Sequence, residues 1–222
     1  MTGRESCRSR PYDGAMRSEA GFRRLVGFSD AIVAIAITLL ILPLVDSANG
    51  IGAKSVGAFL QADGAKLFAF GLSFVVIGSF WWGHHQMFER ARGYNSLMVA
   101  GMFLWMASIV FLPFPTELLG SAKNASTAVH ALYIGTLLVT AFAALMQQWA
   151  IVTVPALRED PEDDSLTIDD GAVNVLLMAV ALVGTVAFPS LGLWPLLVLL
   201  LTRPLVRLAG ALRRRAGSVA TE

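Results

Sequence analysis

The side chains of this 222-residue chain that could carry chemistry are few. Asp30 is the most telling. It closes the run R-L-V-G-F-S-D and is followed by fifteen residues without a charge. A carboxylate so placed is costly unless it is paired, neutral or facing water. Asp is too short to snorkel out, so two readings stand: a hydrogen-bonded packing residue, or part of an ion pathway or gate. Trp81, His84 and Phe88 are spaced i, i+3, i+7 and share one helix face. The Trp and His N–H groups are donors that the Asp30 carboxylate or the Ser29 hydroxyl could accept. A span that starts near Asp30 and a second that ends near His84 bring these residues to one depth. The expectation is a polar cluster of Arg24, Ser29, Asp30, Trp81 and His84 at one end of the spans. Arg24 and Asp30 are six apart and cannot meet along one helix face, so any pairing would be across helices or subunits.

Other chemistries lack their residues. His84 and His85 point about 100° apart on a helix and do not converge on one ion. The single cysteine, Cys7, can form neither an intrachain disulfide nor a zinc site. There is no phosphate-binding glycine loop, no T-V-G-Y-G filter and no nucleophile–base pair, so neither enzyme, metal nor cofactor is expected. Glu117 lies near the far end of the third span. A proton-coupled transporter would need more ionisable groups inside the membrane. After Asp30, Ile35, Leu39 and Leu42 recur at i, i+4, i+7, with Thr38 beside them. By spacing alone this is a packing or lipid-facing stripe, and Ala31, Ala34 and Ala36 would allow close helix approach.

The elements that carry these residues follow from composition. The hydrophobic fraction is 55% and the charged fraction 15%, against about 25% charged in soluble domains. Mean hydropathy is +0.64. An all-α integral membrane protein follows, because long apolar runs in lipid must satisfy their backbone internally. Six spans are predicted: 22–45, 65–83, 96–119, 127–154, 171–188 and 191–208. Residues 46–64 read as a loop, with or without a short helix, and 84–95 as a short polar connection or a helical extension. The acidic stretch 155–170 reads as a solvated connector, with a regulatory cation site as the alternative. The chain divides into a polar arm (1–21), a membrane domain (22–208) and a basic tail (209–222). Fourteen Lys and Arg fall on the side of the arm, the even connections and the tail, against three on the other side. Lys and Arg concentrate on the cytoplasmic side, so both termini are expected there.

The motif R-x-x-x-F-S-D (Arg24, Phe28, Ser29, Asp30), with A-I-V-A-I and I-L-P after it, resembles the first span of the transmembrane protein 175 potassium channels. The later W-x-x-H-x-x-x-F (Trp81, His84, Phe88) and F-L-P-F (Phe111 to Phe114) match in order. Family members often carry an Asn where this chain has Met102. The resemblance covers about residues 22–208. It implies a homotetramer in a bacterial inner membrane, with a central pore lined by the first helix. It implies passive, potassium-selective leak conduction, potassium being the permeant ion, with the lipid bilayer as surroundings and no nucleic-acid partner. By position it implies a hydrophobic constriction at Ile35, Leu39 and Leu42, a hydroxyl layer at Thr38, and a motif cluster holding the first helix. The rivals are a proton-coupled secondary transporter using Asp30 and His84, and a non-transporting scaffold.

Overall fold

The computed structural model describes residues 19–49, 56–121, 126–160 and 168–194. Most of the polar arm, the basic tail, the sixth expected span beyond Trp194 and the centre of the acidic stretch lie outside the described residues. The helices are α1 (Glu19–Leu39), α2 (Leu42–Asn49), α3 (Val56–Phe88), α4 (Ser96–Phe111), α5 (Pro113–Ser121), α6 (Thr127–Thr153) and α7 (Ile168–Ala187). No strand occurs among the described residues. Four stretches are long and apolar enough to cross a bilayer: Ala20–Ala48, Leu60–Phe88, Ser96–Ser121 and Thr127–Thr153. Gly171–Ala187 is a shorter apolar helix.

Two of these stretches are broken by proline, for the same reason. Proline lacks an N–H, and its ring clashes with the carbonyl four residues back. Pro43 therefore stops α1 at Leu39, and the chain tightens there: the Leu40 and Ile41 amides bond Ile37 and Thr38 at 3.3 and 3.4 Å. It then sits in the first turn of α2, where a missing N–H costs nothing. Pro113 does the same between α4 and α5, where the Leu112 amide bonds Ile109 at 3.2 Å. The apolar stretch continues through the break at Pro43 and runs to Ala48, past the expected end of the first span at 45. We call this level of the bundle the proline end and the opposite level the motif end.

Helix α3 is longer than the expected second span. Residues 56–64 are helical, with non-helical angles only at Asp63 (φ −116°, ψ 16°). Its first turns pack on α2 and α5, and Lys66 Nζ donates to Ser47 Oγ at 2.6 Å. That packing overrides the weak propensity of a glycine-containing polar segment. At the other end the helix runs on to Phe88, because His84 and Phe88 bury their rings.

Helix α6 packs along both α4 and α7, while α3 pairs with α5. Apolar side chains gain little from leaving lipid, so close packing and buried hydrogen bonds hold such bundles. Gly101 lets α4 approach α6: a Cβ there would lie 2.9 Å from Gln147 Cγ and 3.2 Å from the Ala143 carbonyl. Thr140 Oγ1 donates to Ser108 Oγ at 2.9 Å, joining the same two helices. Ser73 Oγ meets Thr116 Oγ1 at 2.7 Å and Tyr133 Oη at 3.1 Å, joining α3, α5 and α6.

The acidic stretch is not wholly a free connector. Arg92 N donates to the Leu157 carbonyl and Glu159 N to the Arg90 carbonyl, both at 2.8 Å. This pairs the α3–α4 connection antiparallel with residues after α6. Arg92 Nε and Nη2 also grip the Glu159 carboxylate at 2.8 and 3.0 Å. Residues 161–167 lie outside the described residues.

Two outcomes follow. Gly101→Val drives a side chain into Gln147 and the Ala143 carbonyl, and overpacking of this kind costs about 1–3 kcal/mol. The thermal midpoint of the detergent-purified protein falls, whereas Gly135→Ala, with nothing near its added Cβ, leaves it unchanged or raised. Second, the hydrogen bond from Arg92 holds the Glu159 carboxyl below its ordinary 4.5. A lowered native value means that this contribution is present above the ordinary value and is lost as pH falls through the lowered one. The Arg92 Nε–H resonance in NMR therefore shifts as pH drops below 4.5, and stays put in Glu159→Gln.

Candidate functional site

Helix α1 has two unlike faces. Phe22, Ser29, Val33, Ala36 and Leu40 recur with helical spacing and are buried against the rest of the chain. The opposite face carries Phe28, Ile35, Leu39 and, past the break, Leu42; Ile35 is 58% exposed. Thr38 lies on that face too, donating to the Ile35 carbonyl at 2.7 Å. Its proton is used within the helix, so its oxygen remains available only as an acceptor. Only 22% of the apolar window of Ala20–Ala48 is buried, against 44% for Ser96–Ser121. The N-terminal span is therefore the one most loosely covered by its own chain.

The expected polar cluster divides. Trp81 Nε1 donates to Asp30 Oδ1 at 2.9 Å, bridging α3 to α1. Ser29 is buried but donates to the Val26 carbonyl of its own helix at 2.8 Å. Arg24 is exposed and stands outside the bond. His84 does not reach Asp30. It turns toward α4, 3% exposed, stacked on Trp105 at 4.0 Å and edge-on to Phe88 at 4.3 Å. The reason is helical geometry: three residues separate Trp81 from His84, and their rings diverge enough for α1 to take one and α4 the other.

The spacing argument missed several partners. Phe22 packs on Phe88 and Tyr94, with centroids 5.5 and 6.3 Å apart. Gln147 lies beside His84 and is fully buried. Its signal in the sequence was an amide pair, Gln147–Gln148, inside an otherwise apolar span. Met102, at the position where an Asn was expected, is fully buried and apolar. His84 Nε2, Trp105 Nε1 and Gln147 Oε1 have no hydrogen-bond partner among the described residues, so stacking holds the two rings. Among the described residues no three His, Cys, Asp or Glu side chains gather for a metal ion.

The Trp81 bond makes a prediction. Trp81→Phe leaves a half-buried carboxylate without its donor, which costs about 1–3 kcal/mol. Because both variants lose one and the same bond, Trp81→Phe with Asp30→Ala costs less than the sum of the two, by about 1 kcal/mol. Thermal unfolding of the purified variants gives this double-mutant cycle.

Comparison with known proteins places these features. A family model described as endosomal/lysosomal potassium channel TMEM175 matches residues 24–113, which hold the α1 stripe, Asp30, Trp81 and His84. A protein named a potassium channel from Streptomyces collinus is 35% identical over 146 residues, covering 64% of this chain and 69% of that one. A protein named a potassium channel from Chryseobacterium is 30% identical over 118 residues, covering 52% and 57%. The chicken protein named endosomal/lysosomal proton channel TMEM175 is 33% identical over 144 residues, covering 61% of this chain but 28% of that protein. The crystal structure of a lysosomal potassium-selective channel TMEM175 homolog from Chamaesiphon minutus superposes with a TM-score of 0.68 at 23% identity, covering 84% of this chain and 97% of that one. By its sequence likeness and its shared fold, the chain belongs to the TMEM175 family.

Proposed function

We infer that this protein is a passive potassium channel whose pore is lined by α1. The observation that carries the reading is the pair of faces on α1. One face is packed into the chain's own core, while the other leaves Ile35, Thr38, Leu39 and Leu42 uncovered. A helix so divided can line an axis shared with other copies of the chain. Closed cyclic symmetry repeats its exposed stripe around that axis, and a homotetramer gives four copies. Rings of Ile35, Leu39 and Leu42 then form a narrow apolar constriction that gates by dewetting. Thr38 supplies oxygens one turn from Ile35, and four of them are a polar layer for a partly hydrated cation.

The membrane is a bacterial inner membrane in this reading, crossed six times, with the sixth crossing at 191–208. The Lys and Arg excess of the arm, the Arg90–Arg92 connection and the tail supports a motif end on the cytoplasmic side. Asp30 and Trp81 tether α1 at that side. No cofactor takes part. The transporter reading needs Asp30 and His84 to act as one titrating pair, and each is engaged elsewhere, Asp30 by the Trp81 N–H and His84 by the Trp105 ring on α4.

The competing permeant is the proton, which the name of the chicken relative raises. Purified protein in planar bilayers separates the two. Under a potassium gradient at equal pH the current reverses near the potassium equilibrium potential, and sodium substitution on one side shifts it. A reversal that instead follows a pH gradient overturns the potassium reading. The pore assignment has its own test. Ile35→Asn hydrates the ring, raising basal potassium current several-fold and lowering selectivity over sodium. An unchanged current from a folded Ile35→Asn assembly removes α1 from the pore.

A further inference from the structure

The Trp81 indole has two neighbours that matter. Its N–H is committed to Asp30 on α1. Its ring face is covered by His85, whose imidazole stacks on it at a centroid distance of 5.4 Å and an interplanar angle of 19°. Trp82 lies beside that imidazole, tilted by 36° at a centroid distance of 6.0 Å. His85 Nε2 is 3.3 Å from Glu89 Oε1, one turn on, and the His85 side chain is 39% exposed. Thus an accessible imidazole at the motif end lies beside two indoles and a carboxylate, in direct contact with the residue that tethers α1. His84, the other histidine here, is buried and faces α4.

We propose that His85 is a proton-responsive positioning residue that acts on α1 through Trp81. Imidazole is the side chain that ordinarily changes charge between about pH 5 and 8. On protonation it becomes a cation lying against the electron-rich face of Trp81 and beside Trp82, and an ion-pair partner for Glu89. Both interactions exist only in the charged form. A cation on the ring face draws electron density from the indole, making Trp81 Nε1–H a better donor to Asp30. The charged and titratable groups around it are few. Glu89 lies on its own helix, with His84 next to it in sequence. Of the helices packed on α3, α1 presents Asp30 at the far edge of the indole and carries Arg23 and Arg24 toward the motif end, while α2 carries Asp46 and α5 Glu117, beside Lys66, only at the proline end. Acidification of the motif-end side therefore tightens the hold on α1 and keeps its apolar stripe in the narrow arrangement. The effect on current rests on the channel reading above; the effect on the indole does not.

Two measurements on the full-length protein test this. The first follows the Trp81 Nε1–H resonance by NMR in detergent, assigned through its loss in Trp81→Phe. It moves between about pH 8 and 5 in the wild type, and the movement is lost in His85→Phe, which keeps a stacked ring but cannot take a proton. A resonance that stays still in the wild type, or moves equally in His85→Phe, overturns the proposal whatever the protein conducts. The second records potassium current in oriented bilayers. Acidifying the motif-end side over the same range lowers it about two- to fivefold, the scale of an exposed cation–aromatic contact, and His85→Phe abolishes that dependence. A current that rises, or falls equally in His85→Phe, overturns the proposal. Absence of potassium current at every pH overturns the channel reading instead, and the indole resonance then decides the role of His85 by itself.

Discussion

A carboxylate inside an apolar helix has to find a donor, and here a single indole N–H supplies it. The Trp81–Asp30 bond joins α3 to α1 near the start of the span least covered by its own chain. Around that bond the aromatic side chains are layered. His85 covers the indole from outside, while His84, Trp105, Phe88 and Phe22 build the core behind it. The tether fixes which way α1 turns. With Ser29, Val33, Ala36 and Leu40 facing inward, the stripe of Ile35, Leu39 and Leu42 has to face outward.

The other end of the bundle is organised by proline. The breaks at Pro43 and Pro113 turn two spans into pairs of helices, and the short members, α2 and α5, both pack on the start of α3. Gly120 makes one of these contacts possible, because a Cβ there would lie 2.9 Å from Lys66 Cα. Buried hydroxyls then supply the directional bonds that apolar contact cannot supply in lipid. Ser73, Thr116 and Tyr133 form the largest such group. The bundle is thus firm where α3, α4, α5 and α6 meet and open along α1.

Much of this was legible in the chain as written. Apolar runs of about twenty residues define spans because lipid offers no partner for backbone groups. Four such spans, together with a shorter apolar helix, stand among the described residues. The helical period put Trp81, His84 and Phe88 on one side of α3, and depth put them level with Asp30. Spacing was too coarse, however, to divide that side. Trp81 and His84 differ by about 60° around the helix, which suffices for two neighbouring helices to claim one each. The breaks at Pro43 and Pro113 inside the first and third spans were not expected, because hydrophobic length alone does not show that a proline in a long apolar stretch ends one helix and starts the next.

By itself, then, the sequence determined the class, four of the expected spans, the charge asymmetry and the few polar residues that any mechanism must use. These depend on hydrophobic length, local period and single-residue chemistry, all of which are properties of neighbours in the chain. Only the tertiary structure decided that Trp81 rather than His84 holds Asp30, that Gln147 lies beside His84, and that Arg92 grips Glu159. Each of these joins residues more than fifty positions apart. Which partner a donor finds at that range depends on how closely the helices approach, set here by Gly101 and Gly120 and by two proline breaks, and no local pattern encodes that distance.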